Sequence, residues 1–224
     1  INLQRIEIPN NSTLQKIDKR AFYRTAIESI IIPSSVTLIG IEAFYDCSKL
    51  KRIEIPKNSK LQKIDNGAFC GTAIESIIIP SSVISIGEKA FFGCEKLKRI
   101  EIGNDSNLQT INENAFSCSS IENFTISSKL IELKEGWCRK TPKLCKIDVS
   151  PENPRYCCFE DRMIIGKTKI DQNNYDCLIF YFHNSKNIKI PNFIEHICPF
   201  SFCNCSKLKY IEFEDNSKLQ TIDK

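Results

Sequence analysis

Isoleucine and leucine recur along this chain in a fixed pattern with polar residues. The pattern L/I-x-x-I-x-I begins at Leu3 (LQRIEI), Ile27 (IESIII), Leu50 (LKRIEI), Ile74 (IESIII), Leu97 (LKRIEI), Ile121 (IENFTI) and Leu144 (LCKIDV). It returns as SKNIKI from Ser185 and LKYIEF from Leu208, which makes nine units. The steps alternate between 24 and 23 residues, so every second unit lies 47 residues on. The dodecamer TAIESIIIPSSV stands unchanged at 25–36 and 72–83, at equivalent places in successive pairs of units.

Strict alternation of β-branched residues in I-x-I predicts a strand with alternate side chains inward. Pro9, Pro33, Pro56, Pro80 and Pro191 follow these segments directly, and proline ends a strand because it cannot donate to the ladder. The second half of each unit reads L/V-x-x-I-(G/D)-x-x-A-F. Ala43 and Phe44, Ala68 and Phe69, Ala90 and Phe91, and Ala115 and Phe116 put a small residue and a ring at the same point of each turn. One unit has too few apolar side chains to offset the ordering of its own backbone. Stacked units share faces and are stable together. The expected architecture is a repeat solenoid with one long parallel sheet of about nine short strands.

Three segments follow: seven units over 1–150, a non-repeat island over 151–184, and two further units over 185–224, the last incomplete. The island reads as a loop with Pro151 and Pro154, a strand at 163–165, a polar turn, and a second strand at 177–182. Such a hairpin caps or interrupts the stack. One unit departs from the pattern. In 47-residue register Trp137 and Cys138 fall where Ala90 and Phe91 stand, so that turn must repack.

LKRIEIP followed by SSVISIGEKAFFGC resembles the BspA-type leucine-rich repeat, a variety marked by I-G-x-x-A-F-x-x-C. ELKEGWC, the insert MIIGKTKIDQNNYDCLIFYF and the closing LKYIEFEDNSKLQTID resemble more narrowly the BspA-like surface antigens of trichomonad parasites. The resemblance implies a leucine-rich-repeat horseshoe, α/β or mainly β, displayed at a cell surface or outside the cell. It also implies adhesion or recognition of a host matrix or cell-surface protein, a role ascribed to bacterial relatives.

The rest of the composition narrows the alternatives. Among 224 residues, 31 basic against 27 acidic leave a net charge of +4, too even for a nucleic-acid binder. No apolar run approaches the roughly 18 residues of a membrane span. The chain has no basic-then-apolar leader and stops in mid-pattern, and so reads as a piece of a longer one.

The x positions of L-x-x-I-x-I are expected to face solvent. The first column is Gln4, Glu28, Lys51, Glu75, Lys98, Glu122 and Cys145. The second is Arg5, Ser29, Arg52, Ser76, Arg99, Asn123 and Lys146, and the third Glu7, Ile31, Glu54, Ile78, Glu101, Thr125 and Asp148. One reading is a self-complementary charge ladder, contributing roughly 0.2–1 kcal/mol per cross-strand pair. The other is a protein-binding concave face built from Arg5, Glu7, Glu28, Ile31, Lys51, Arg52, Glu54, Glu75, Ile78, Lys98, Arg99 and Glu101.

Cys47, Cys94 and Cys205 share one repeat position, Cys70 and Cys203 another, which argues for packing over a secreted disulfide framework. Cys157 and Cys158 are the candidates for thiol chemistry, with Cys138, Cys145 or Cys177 as partners. His196, Cys198, Cys203 and Cys205 form H-x-C-x4-C-x-C, but two of the four already belong to the repeat, so no metal or cofactor is expected. IIGKT at 164–168 resembles a P-loop, yet Asp161 stands where the first glycine is required, and a hairpin turn is the simpler reading. Neither G-x-S-x-G nor H-E-x-x-H occurs, the histidines are His183 and His196, and no enzyme is expected. Sequons at Asn10, Asn11 and Asn104 fall in polar turns, Asn123 in a strand, and Asn204 in a repeat turn. Besides recognition, two other roles fit: a spacer that self-associates end to end, and a metal- or redox-linked cysteine domain.

Overall fold

A computed structural model describes residues 3–9, 11–182 and 185–223. Among them lie nineteen strands, numbered in chain order, and no helix. The I-x-I segments form a first column: β2 (Ser29–Ile31), β4 (Arg52–Glu54), β6 (Ser76–Ile79), β8 (Arg99–Ile102), β10 (Asn123–Ile126), β12 (Lys146–Val149), β16 (Asn187–Ile190) and β18 (Tyr210–Phe213). Alternation holds along them, as in Arg99–Ile102, where Arg99 and Glu101 are exposed and Ile100 and Ile102 buried. The chain is a mainly β solenoid with parallel strands, as the repeat requires.

The structure adds a second column of two-residue strands, one in the second half of each unit. These are β1 (Lys16–Ile17), β3 (Leu38–Ile39), β5 (Lys63–Ile64), β7 (Ser85–Ile86), β9 (Thr110–Ile111) and β11 (Glu132–Leu133), which form one continuous parallel sheet. The first column is instead divided into pairs, β2 with β4, β6 with β8, β10 with β12, and β16 with β18. Paired strands are those 23 residues apart; the 24-residue step separates β4 from β6 and β8 from β10. The 47-residue repeat is therefore a structural dimer of turns. The expected strand at LQRIEI is the exception: residues 3–9 form none, and Glu28 N donates to Gln4 O at 3.3 Å.

Glycine in the I-G signature stands where one such dimer meets the turn before it. A Cβ on Gly87 would stand 2.5 Å from Asn66 N and 2.6 Å from the carbonyl carbon of Asp65. On Gly40 it would stand 3.0 Å from Ile17 O and from the carbonyl carbon of Asp18. At Gly40 and Gly87 the turn lies against its predecessor's backbone, and only hydrogen fits, whereas Lys134 at the next equivalent position departs from this.

The A-F pairs build the core. Phe22, Phe44, Phe69, Phe91 and Phe116 stack in one file with centroids 5.1–5.3 Å apart. Backbone bonds keep it in step: Phe44, Phe69 and Phe91 N donate to Ala68, Ala90 and Ala115 O, and Phe116 N to Trp137 O. Trp137 thus occupies the alanine position by backbone, while buried Cys138 takes the phenylalanine position. The file would end there. The indole turns in instead, edge-on to Phe116 at 6.5 Å and 4.7 Å from Phe124, and reaches Phe180 at 6.2 Å.

Phe180 belongs to an antiparallel meander of β13 (Tyr156–Phe159), β14 (Met163–Gly166) and β15 (Cys177–Tyr181). Strand β13 joins the two segments read from the sequence. Ile164, Phe180 and Phe182 pack into the first core, whereas Met163, Ile165, Leu178 and Tyr181 pack into a second with Ile188, Ile190, Ile194 and Ile197. The meander is a septum buried on both faces, which is why MIIG and CLIFY are continuous apolar runs. On its far side β15 pairs in parallel with β17 (His196–Ile197), and β17 with β19 (Thr221–Ile222).

Candidate recognition surface

The first strand column presents its x positions outward. All twelve residues of the expected binding face are exposed. Register places Ser29 beside Arg52 and Ile31 beside Glu54, then Ser76 beside Arg99 and Ile78 beside Glu101. Two near-copies of one patch therefore stand on the surface: Glu28, Ile31, Lys51, Arg52 and Glu54, then Glu75, Ile78, Lys98, Arg99 and Glu101. Ile31 is 46% exposed and Ile78 50%. Arg5 and Glu7 lie on the strandless first segment and pair with each other.

Most charges of this column that pair do so along the strand. Arg99 meets Glu101 at 3.9 Å, and Lys146 meets Asp148 at 2.9 Å. A cross-strand pair forms between Lys189 and Glu212 at 3.8 Å. Among the described residues Glu28, Lys51, Glu75 and Lys98 make no ion pair, so the alternating first column is not locked into a ladder. Exposed pairs are worth little in any case, about 0–1 kcal/mol. These side chains are available to a partner.

One surface feature was not read from the sequence. Tyr23 and Tyr45 stack at 5.3 Å beside the A-F turns, with the guanidinium groups of Arg20 and Arg24 over the Tyr23 ring at 5.3 and 5.2 Å. Arg20 is held by Glu42 at 2.5 Å and Arg24 by Asp46 at 3.1 Å. The signal was the column after A-F, which reads Tyr23, Tyr45, Cys70 and Phe92.

The cysteines sort by position. Cys47, Cys94 and Cys205 each donate a thiol hydrogen to a carbonyl of the preceding turn: Phe22 O at 2.9 Å, Phe69 O at 3.1 Å and Tyr181 O at 3.4 Å. Burial pushes the Cys94 and Cys205 thiols up to about 12. All twelve cysteines are free thiols. The expected partners of Cys157 and Cys158 are not bonded to them, because those two lie on β13 opposite Ile165 and Ile164. His196 Nδ1 meets Thr221 Oγ1 at 2.9 Å. Among the described residues no three His, Cys, Asp or Glu side chains converge as a metal site would need. The GKT segment has no phosphate cradle: Thr168 N donates to Asp176 Oδ1 at 2.9 Å.

Of the sequons, Asn10 lies outside the described residues, as does His183. Asn204 is used structurally. Its Oδ1 accepts from Thr141 N at 2.9 Å, and its Nδ2 donates to Thr141 Oγ1 at 2.7 Å and Cys138 O at 3.1 Å. No helix among the described residues is long and apolar enough to cross a membrane.

Against known proteins, the family model of the BspA-type leucine-rich-repeat region matches residues 1–69, 58–165 and 173–224. Comparison with curated proteins gives no match. Among solved structures, the pneumococcal vaccine antigen PcpA is 28% identical with a TM-score of 0.81, over 93% of this chain and 52% of that one. A leucine-rich cell-surface protein of Faecalibacterium prausnitzii is 24% identical with a TM-score of 0.68, over 99% of this chain and 69% of that one. A leucine-rich-repeat protein of Bacteroides ovatus is 23% identical with a TM-score of 0.61, over 98% of this chain and 50% of that one. The chain spans about half the length of the PcpA and Bacteroides chains.

Proposed function

Because this chain belongs to the BspA-type leucine-rich-repeat family, we propose that it is a non-enzymatic protein-recognition module, displayed at a cell surface and binding a host matrix or cell-surface protein. The observation that carries this reading is the duplicated patch on the first strand column. Each copy offers an arginine, a lysine, two glutamates and an exposed isoleucine, most of them without partners on the chain itself. Arg52 and Arg99 stand on β4 and β8, at equivalent places two turns apart, so that one partner can span both. Solenoids present such extended surfaces for binding, and arginine is enriched among residues that dominate interfaces. Two similar structures are described as a vaccine antigen and a cell-surface protein, which supports the placement.

Immobilised chain tested against a panel of matrix and cell-surface proteins, at low and high salt, should show saturable, salt-sensitive binding to a member. The double variant Arg52→Glu, Arg99→Glu should weaken it by tenfold or more, about 1.4 kcal/mol, with melting unchanged. Normal binding by the double variant sinks the assignment to this face. A self-associating spacer is the second reading, since turns of like shape can stack between chains as they do within one. Light scattering separates the two, since a strict monomer argues against end-to-end assembly.

A further inference from the structure

The second strand column is not continuous across the septum. Strand β11 has β9 on one side and no strand on the other. Its free edge is met by a side chain: Tyr156 Oη accepts from Leu133 N at 3.0 Å and donates to Ile131 O at 3.2 Å. A phenol is thinner than a strand. Beside it a cavity of about 290 Å³ remains, walled by Trp137, Tyr156, Ile179, Phe180 and Phe200.

This space is held open. Asn204 ties the turn at 198–204 to Thr141 and Cys138. The Arg139 guanidinium lies 4.9 Å over the Phe200 ring. Trp137 is wedged between Phe124 and Phe180. The walls cannot collapse without breaking those contacts, whereas close-packed interiors normally leave no void of this size.

The cavity is apolar at its walls and cationic on balance. Arg155 lines it, with Nη1 donating to Ile131 O at 3.1 Å. Lys134, Arg139 and Glu135 complete the charged lining, and Lys134 is already paired with Glu132 at 2.6 Å. An engineered apolar cavity of about 150 Å³ takes benzene, so this one has room for a substituted or bicyclic ring. An aromatic body suits the indole and phenyl walls. A carboxylate suits the Arg155 guanidinium, which lines the cavity and makes no ion pair among the described residues.

We propose that this cavity is a binding site for a small aromatic carboxylate, its ring against the Trp137 and Phe200 walls and its carboxylate on Arg155. The site is independent of the strand-column surface.

Trp137 is the chain's one tryptophan, so its fluorescence reports directly from the wall. Titration of the whole chain with phenylpropionate should change the emission saturably, and phenylpropionamide, the same skeleton without charge, should bind at least about tenfold more weakly. Arg155→Gln, checked by thermal melt, should lose the difference between acid and amide. Should that variant fail to fold, Cys198→Leu fills the cavity from its wall while keeping the Arg155 side chain, and should abolish the emission change. No saturable response, equal response to acid and amide, discrimination unaltered in Arg155→Gln, or binding retained in Cys198→Leu would each overturn the proposal.

Discussion

Gly87 and Gly93 are six residues apart on one turn and are glycine for different reasons. Gly87 has an ordinary φ, but a Cβ there would stand 2.5 Å from Asn66 N and 2.6 Å from the carbonyl carbon of Asp65. That backbone is pinned, since Asp65 N donates to Ile39 O at 2.9 Å and Gly87 N to Ile64 O at 2.8 Å. Overpacking costs about 1–3 kcal/mol. With fixed backbone as the obstacle, Gly87→Ala belongs at the upper end, about 3 kcal/mol. Gly93 has φ +70°, and its nearest new neighbour would be Gly71 N at 3.9 Å. Its alanine meets only the left-handed penalty of about 1–2 kcal/mol, partly offset by about 0.5–1 kcal/mol of unfolded-state entropy. The net cost is about 0.5–1 kcal/mol. For a chain of this length each kcal/mol lowers Tm by about 2–4 °C. Thermal melts followed by circular dichroism should therefore fall by about 6–12 °C for Gly87→Ala and about 1–4 °C for Gly93→Ala. Urea titrations with unchanged m should agree. If Gly87→Ala costs no more than Gly93→Ala, the close approach between the turns of β4 and β6 is not what the I-G signature serves.

Two further outcomes test the core and the seam. The folded Cys94 thiol keeps its proton to about pH 12, while the unfolded one releases it near 9. The unfolded state therefore loses a proton that the native state retains. Stability from this group is full below pH 9 and falls by about 1.4 kcal/mol per pH unit above it. Urea midpoints measured up the alkaline range should fall less steeply for Cys94→Ala than for the parent chain, and parallel slopes refute the burial argument. Asn204→Ala leaves the partly buried Thr141 N without an acceptor and should cost about 1–3 kcal/mol by urea unfolding. Because its Nδ2 is engaged, peptide mapping after secretion should find Asn204 without glycan; a glycan there would contradict the seam described above.

The repeated parts of the molecule were legible because each residue's environment recurs. Phe44 and Phe91 sit in the same file for the same reason, and one alignment reads both. Even the departure at Trp137 and Cys138 showed as a broken register. The second strand column was harder, since two-residue strands such as Lys63–Ile64 leave almost no period to detect. Arg5 and Glu7 were placed on a strand by analogy with Arg52 and Arg99, but residues 3–9 form none. Strand β13 escaped notice because RYCCFE shows no apolar alternation; pairing with β14 makes it a strand. The proposed binding face was legible as a set of exposed positions, and its duplication followed from the 47-residue period. The ion pairs along the strands needed side-chain geometry. Asn204 was invisible as a lock, because Thr141 is 63 residues away and nothing local marks the contact.

This division between repeated and unique parts bears on where chemistry can arise. In a solenoid every turn sees the same neighbours, so any side chain offered by one turn tends to be offered by the next. That favours broad, additive contact, such as two copies of an Arg-Lys-Glu-Ile patch, and works against a single shaped pocket. A pocket needs a place where the next turn is missing or different. The septum supplies one: it fills both cores with its two apolar faces, yet gives β11 only the Tyr156 ring where a strand belongs. Cys138, Cys177, Cys198 and Cys203 all line the resulting cavity, and of these only Cys203 falls at a position that the repeat itself assigns to cysteine. The residues that break the pattern and the space that breaks the stack therefore coincide. A long surface and a small cavity on one chain answer to different ligands, and charge reversal at Arg52 and Arg99 should leave the Trp137 titration unchanged.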